Sequence, residues 1–302
     1  MKKEAHKDSI EKIIQAIDKG VKPWVAPFGR PTLRRAENFF TKTKYQGVNS
    51  ILLLMEAYAE GFSSNAWLTF KQISALKGKV RKGEASKRIF FFTYVEKKDA
   101  ETKQVNPDKE VELVPRWKYF NVFNVDQTEG LVLPETKNLA EGNPLSNISV
   151  DDFVLQTKAE IQHSDKKAAF YSPGFDLIHL PYQKHFHSVE AYYATLLHEL
   201  VHWTGHRKRL DRLQAGNRFG DKAYAFEELV AELGSTFLST DLNVHADIEN
   251  HASYLASWSQ LLNDKHMAFF KAAALAEKAV QYLHDFNAQQ SGKQLDLLNQ
   301  AA

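Results

Sequence analysis

Apolar residues recur along this chain with two different periods, and each change of period marks an element. Ile10, Ile13, Ile14 and Ile17 repeat at helical spacing and the run stops at Gly20, which predicts a first helix. GVNSILLLMEAYAEGF and TFKQISALKG predict two more, the latter with Thr69 as N-cap and Gly78 past its end. KRIFFFTYV and WKYFNVFNV are dense in aromatic and β-branched residues and predict strands, joined by the charged, solvated insertion EKKDAETKQVNPDKEVE. Past a Pro-, Gly- and Asn-rich linker, PETKNLAEGNPLSN, the stretch SVDDFVLQTKAEIQ predicts a helix with Ser149 and Asp152 in capping-box positions. KAAFYSPGFDLIHLP then reads as two short strands around Ser172-Pro173-Gly174, and four helical segments complete the chain. The expected fold class is α+β: a mixed α/β domain over residues 1–145 and a mainly helical domain with a small sheet over residues 146–302.

Composition changes that picture in three places. The 302 residues, 43% hydrophobic and 25% charged, are ordinary for a globular protein with a sizeable core. There is no cysteine, so disulfides and thiolate sites are excluded, and any metal must rest on His, Asp and Glu. The start carries lysines without an apolar leader core and no uncharged apolar run approaches membrane length, so a cytoplasmic protein without a membrane partner is expected. The net charge of +2 hides an asymmetry: residues 1–140 hold 25 Lys and Arg against 17 Asp and Glu, an excess of +8, leaving −6 for the rest. The first half can attract a polyanion that the second would repel.

The segment ATLLHELVHWTGH holds the clearest chemistry. His198 and His202, four residues apart, share one face of a helix, and Glu199 lies beside them. Leu196, Leu197, Leu200 and Val201 make that helix apolar nearly all round, the pattern of a buried helix. Burying three ionisable groups without a partner is costly, and a metal ion removes the cost. A third His six residues past His202 is absent, since Lys208 stands there. The better third donor lies in AYAFEELVAEL, where Glu228 and Glu232 sit one turn apart. Glu228 is the expected ligand, and Glu232 the expected acceptor of a ligand histidine's second N–H. Glu227 adjoins Glu228, so only one of the two is expected to point inward. One divalent ion is implied: zinc first, with manganese or cobalt suiting the same donors. Glu199 is the expected general base.

The motif HELVH with EELVAE resembles the gluzincin metallopeptidases of thermolysin type, and Ile178-His179-Leu180 resembles the edge strand along which such enzymes lay a peptide. In the basic half, Lys71, Lys79, Arg81 and Lys82 interleave with aromatic residues, the pattern that holds single-stranded nucleic acid. Trp67 and Trp117 are the expected stacking residues, with burial of Trp67 in a core as the open alternative; the FFF run reads as core.

Over nearly its full length the chain resembles the ArdC-type antirestriction proteins of conjugative plasmids. The carrying segments are Tyr45-Gln46-Gly47-Val48-Asn49, Asn65-Ala66-Trp67-Leu68-Thr69-Phe70-Lys71-Gln72, Val80-Arg81-Lys82-Gly83-Glu84, Val122-Phe123-Asn124-Val125 and HELVHWTGH followed by EELVAEL. That resemblance implies an N-terminal single-stranded DNA-binding domain joined to a zincin-like metallopeptidase domain. It also implies protection of transferred plasmid DNA, with a host restriction endonuclease or another protein as substrate. Two readings follow: a DNA-binding metalloenzyme, or a DNA-masking protein whose metal site is structural or proteolytically inactive.

Overall fold

The first helix, α1 (Ala5–Asp18), buries all four of its isoleucines, as their spacing requires. The computed structural model describes residues 5–27, 29–30, 32–96, 113–131, 149–213, 221–244 and 252–301. The linker at 134–147 and all but the first residue of the charged insertion lie outside them.

After α1 come β1 (Glu37–Asn38), α2 (Val48–Glu60), β2 (Ala66–Leu68), α3 (Phe70–Ala75), β3 (Lys79–Val80), β4 (Lys87–Glu96), β5 (Leu113–Asn124) and β6 (Thr128–Glu129). Four strands form one sheet in the order β1-β2-β5-β4, and β3 pairs with β6. Within the sheet β1 and β2 run parallel while β2 and β4 run antiparallel to β5. Thr69 caps α3 as expected: its hydroxyl accepts the Gln72 N–H at 3.3 Å while the Gln72 side chain accepts the Thr69 N–H at 2.9 Å. α2 stops where Gly61 takes a left-handed φ of 72°, a conformation that costs glycine nothing.

The second half contains α4 (Val150–Thr157), β7 (Glu160–Ser164), β8 (Phe170–Ser172), β9 (Leu177–Pro181), α5 (Val189–Thr204), α6 (Lys222–Asp241), α7 (Ala252–Asp264) and α8 (Met267–Ala301). Its sheet has the order β7-β9-β8. Ile178, His179 and Leu180 therefore lie on the central strand, and the edge-strand expectation for them is corrected. β9 gives one side to β7 in parallel and the other to β8 antiparallel, so the exposed edge nearest α5 belongs to β8, which contacts that helix.

One apolar core crosses the halves. α1, Trp24 and part of α2 share a cluster with α5, α6, α7 and α8, and α1 packs on α7. Ion pairs follow the same path: Lys22 to Glu232 at 3.0 Å, Arg35 to Asp241 at 3.5 Å and to Glu277 at 2.5 Å, and Lys44 to Asp241 at 2.9 Å. A second core lies under the first sheet, built from Leu33, Leu53, Leu54, Ala57, Trp67, Ile89 and Val122.

That second core corrects the reading of Trp67 as a stacking residue. Its ring is fully buried and its indole N–H donates to Asn65 Oδ1 at 2.7 Å, so no base can reach it. Polar neighbours in sequence suggested exposure, but the asparagine is there to satisfy the indole. Trp67→Ala is expected to lower stability by about 3–5 kcal/mol through the cavity it leaves, and to leave the single-strand affinity of the folded fraction unchanged. Urea unfolding beside an oligonucleotide titration checks this; weakened binding at unaltered stability would return Trp67 to the surface.

Candidate metal centre

α5 begins at Ser188, whose hydroxyl accepts the Ala191 N–H at 3.0 Å, and buries Ala191, Ala194, Leu197, Leu200 and Val201. That apolar surround fixes the rotation of the helix. His198 and His202 then stand side by side with ring centroids 4.9 Å apart. α6 crosses close by, with both glutamates of the pair Glu227-Glu228 buried.

Glu228 Oε2 lies 3.5 Å from His198 Nε2, and its Oε1 lies 3.5 Å from His202 Nε2. One donor atom from each of the three residues falls within 4.8 Å of the others. Two imidazoles and a carboxylate facing one point are a donor set that fits a divalent cation of the zinc or manganese type. His206, four residues past His202, stands outside the group, its Nδ1 3.8 Å from Asp176 and accepting the Lys208 N–H.

The expectation that only one of Glu227 and Glu228 faces inward is corrected. Adjacent helical residues differ by about 100° in direction, and His202 sits between the two directions. Its Nε2 faces Glu228 while its Nδ1 lies 3.2 Å from Glu227 Oε1. Arg212 in turn holds Glu227 through Nε at 2.8 Å and Nη2 at 2.8 Å, and its Nη2 also donates to the Val201 carbonyl. The orienting carboxylate is thus Glu227, and the assignment of that task to Glu232 is corrected. Glu232, one turn beyond Glu228, reaches a different neighbour: it accepts from Lys22 Nζ at 3.0 Å and from the Trp24 indole at 3.4 Å.

Burial works against the charge on His202, but the carboxylates of Glu227 and Glu228 overcome it and push its pKa up to about 10. Burial also works against Glu228, yet its hydrogen bonds to the two histidines hold its carboxyl well below the usual range. Burial drives the Glu199 carboxyl the other way, upward, opposed by the neighbouring imidazoles and by the Tyr171 backbone N–H of β8.

Two tyrosines complete the site and were missed by the sequence reading. Tyr224 and Tyr254 bring their hydroxyls to 3.2 Å. Burial, the partner hydroxyl and the nearby Glu228 charge push the Tyr224 pKa far up. Burial raises that of Tyr254, which also feels Glu228 and Glu199. Both therefore remain protonated donors. The signal was present: Tyr224 precedes Glu228 by one helical turn on the same face.

The basic residues expected to hold nucleic acid lie on α3, on the neighbouring β3 and just after it. Lys71 is on α3, Lys79 on β3, and Arg81 and Lys82 in the turn after it, all exposed. Arg81 is partly taken up by the Asp126 carbonyl and by Glu84 at 3.5 Å.

Two family models match. One described as the N-terminal domain of anti-restriction factor ArdC covers residues 3–123, and one described as a zincin-like metallopeptidase covers residues 148–275. Two DNA primases named TraC from Escherichia coli are each 35% identical over 96% and 97% of this chain, which spans only 20% and 28% of their own lengths. The uncharacterized protein y4eC of Sinorhizobium fredii is 33% identical over 96% of this chain and 94% of its own. Among solved structures, antirestriction ArdC from plasmid R388 matches in its metal-free form with 36% identity and a TM-score of 0.76, covering 95% of this chain and 98% of that one. Its Mn(II)-bound form matches with 35% identity and a TM-score of 0.72, covering 94% and 98%.

The two acidic neighbours of His202 separate in their effects on metal. Glu228→Ala should abolish stoichiometric binding of a divalent ion, whereas Glu227→Gln should weaken it by about 10–100-fold through loss of imidazole orientation. Metal content by mass spectrometry and chelator competition distinguish them; equal losses would make Glu227 a ligand.

The pH dependence follows from His202. Its folded pKa of about 10 stands above the 6.5 of an unperturbed histidine, so the stabilisation from its proton is complete below about pH 6.5 and lost as pH rises through 10. Over the same window metal affinity should climb, because the proton must leave before the nitrogen can ligate. Urea midpoints of the metal-free protein at pH 7 and 9.5 give the sign: a midpoint that does not fall would mean that His202 is neutral in the fold.

Proposed function

The chain belongs to the ArdC family of antirestriction proteins, and on that premise we propose that it protects plasmid DNA entering a recipient cell. It binds the incoming single strand and hydrolyses a host protein at its metal centre. The observation that carries this reading is the convergence of His198, His202 and Glu228 on one point with Glu199 buried beside it. A purely structural site has no use for that carboxyl. The family match to a zincin-like metallopeptidase domain supports the reaction class, peptide hydrolysis.

A divalent cation held by His198, His202 and Glu228 supplies Lewis acidity toward a carbonyl and lowers the pKa of water. The chain supplies the rest. Glu199, whose pKa burial raises, accepts the proton of the attacking water and returns it to the departing amine. Tyr224 and Tyr254, kept protonated, donate to the oxygen that gains charge. Glu227 and Arg212 hold the His202 ring in place. The free edge of β8 offers backbone groups to an extended peptide, and its Tyr171 N–H ties that strand to Glu199.

On the nucleic-acid side, Lys71, Lys79, Arg81 and Lys82 supply phosphate contacts to single-stranded DNA. Among the described residues no helix is long and apolar enough to cross a membrane, and we place the protein in the cytoplasm, where incoming strand and restriction enzymes meet. Zinc is the proposed ion, with manganese equally compatible with the donors; Mn(II) is the ion in the R388 relative.

Glu199→Gln tests the catalytic half. The variant should keep metal and oligonucleotide binding, lose cleavage of any protein substrate, and lose protection of plasmid entry against a type I restriction system. Full protection by that variant would remove proteolysis from the mechanism and leave DNA masking as the activity.

A further inference from the structure

The β4 and β5 pair is the longest strand pair among the described residues, and its two faces differ in kind. Side chains alternate along a strand, and the register sets Phe91 opposite Lys118 and Ile89 opposite Phe120. Arg116, Lys118 and Phe120 therefore share one face with Phe91. Trp117 and Phe90 share the other. That second face is anchored on the metallopeptidase half: Trp117 stacks on His6 with centroids 4.5 Å apart and meets Phe270 of α8 edge-on at 5.2 Å. The first face is covered where Ile89 enters the second core and open beyond it. Phe91 and Phe120 are 49% and 46% exposed, in edge-to-face contact at 5.3 Å.

These residues line a trough of 1010 Å³ whose lining also includes Lys278 of α8 and the start of α2. Arg116, Lys118 and Lys278 are exposed. The acid on this lining, Glu277, is neutralised by Arg35 at 2.5 Å and by the Gly47 N–H at 2.8 Å. The lining thus presents cations and aromatic rings without a competing free carboxylate.

We propose that this trough, lined by the β4–β5 hairpin and by α8, is where single-stranded DNA binds, with bases against Phe91 and Phe120 and phosphates at Arg116, Lys118 and Lys278. This rests on the single-strand reading given under Proposed function, where Lys71 lies two residues past Thr69 of this same lining, and extends the contacts to the hairpin and α8. A paired base has its faces covered by its neighbours, whereas an unpaired one can lay a face on an exposed aromatic ring. Rings that accept any base, with no evident set of groups to read base edges, predict little sequence preference. The contact with α8 means that a bound strand touches both halves of the chain.

Fluorescence anisotropy of the full-length protein with a labelled oligo-dT at two salt concentrations tests this. Phe91→Ser/Phe120→Ser should weaken binding roughly tenfold or more at both concentrations, since base stacking is worth that much. Lys278→Glu should weaken it severalfold at low salt and lower the slope of log affinity against log salt by about 0.7 for the lost phosphate contact. Lys166→Glu, an exposed reversal on β7's following turn, controls for overall charge. Each variant is compared at an unchanged melting temperature. If the aromatic pair does not fold, Arg116→Gln/Lys118→Gln carries the same test. Wild-type affinity in the folded aromatic or basic variants would place the strand elsewhere and overturn the proposal while leaving DNA binding intact. An effect of the aromatics without one from Lys278 would remove the contact with α8. Absence of binding by the wild-type protein at low salt would refute the single-strand reading itself, and this proposal with it.

Discussion

The candidate metal centre depends on two helices that approach each other more closely than side chains normally allow. A Cβ placed on Gly234 of α6 would stand 2.8 and 2.9 Å from the two methyl carbons of Val201 on α5, inside contact distance. Glycine at that position lets the helix backbones close, and that closeness carries Glu228 to within 3.5 Å of both imidazoles. The force that closes them is the burial of Leu197, Leu200, Val201, Leu229, Val230 and Leu233. Packing this dense makes the ligand geometry a property of the core and not of flexible loops.

Once the helices close, they bury acids that must be answered. Glu227, Glu228 and Glu232 lie in an apolar setting, where an unpaired charge would cost several kcal/mol. Each finds a different partner: Glu227 finds Arg212, Glu232 finds Lys22, and Glu228 finds the two imidazoles. Glu228 is the one whose partners can exchange a proton for a metal ion. The upward shift of His202 and the downward shift of Glu228 are two sides of their mutual attraction.

The same demand explains part of the charge asymmetry. Lys22, Arg35 and Lys44 from the basic half are committed to Glu232, Asp241 and Glu277 of the acidic half. The excess of +8 therefore does two jobs, joining the halves and leaving a remainder on the surface for phosphate. Net charge in the sequence could not apportion them. Spacing did reveal HELVH, the return of Glu232 to the face of Glu228, and the caps Thr69 and Ser149, because these depend only on local helical geometry. What spacing could not reveal was which neighbour each residue meets. Glu232 shares a face with Glu228, but one turn along the axis is about 6 Å, far enough to exchange a histidine for Lys22. The three-strand order β7-β9-β8 depends likewise on contacts distant in sequence, so which strand forms the edge was hidden.

Phe90 and Phe91 make the distinction sharpest. Their identities and sequence surroundings are nearly the same, and the FFF run read as core; yet one is 4% exposed and the other 49%. A strand sends successive side chains to opposite faces, so such a run divides between inside and outside once both faces are assigned. The assignment comes from Phe270, which meets Phe90 and Trp117 edge-on. Phe270 belongs to α8, whose Ala272, Ala273, Ala276 and Ala279 are buried and which packs along α6. Alanine has no rotamers with which to absorb a shift, so α8 and α6 are seated on each other rigidly. The helix that turns Phe91 outward is thus packed without slack on the helix that carries Glu228, and the open hairpin face and the metal centre are held in a fixed relation by one core.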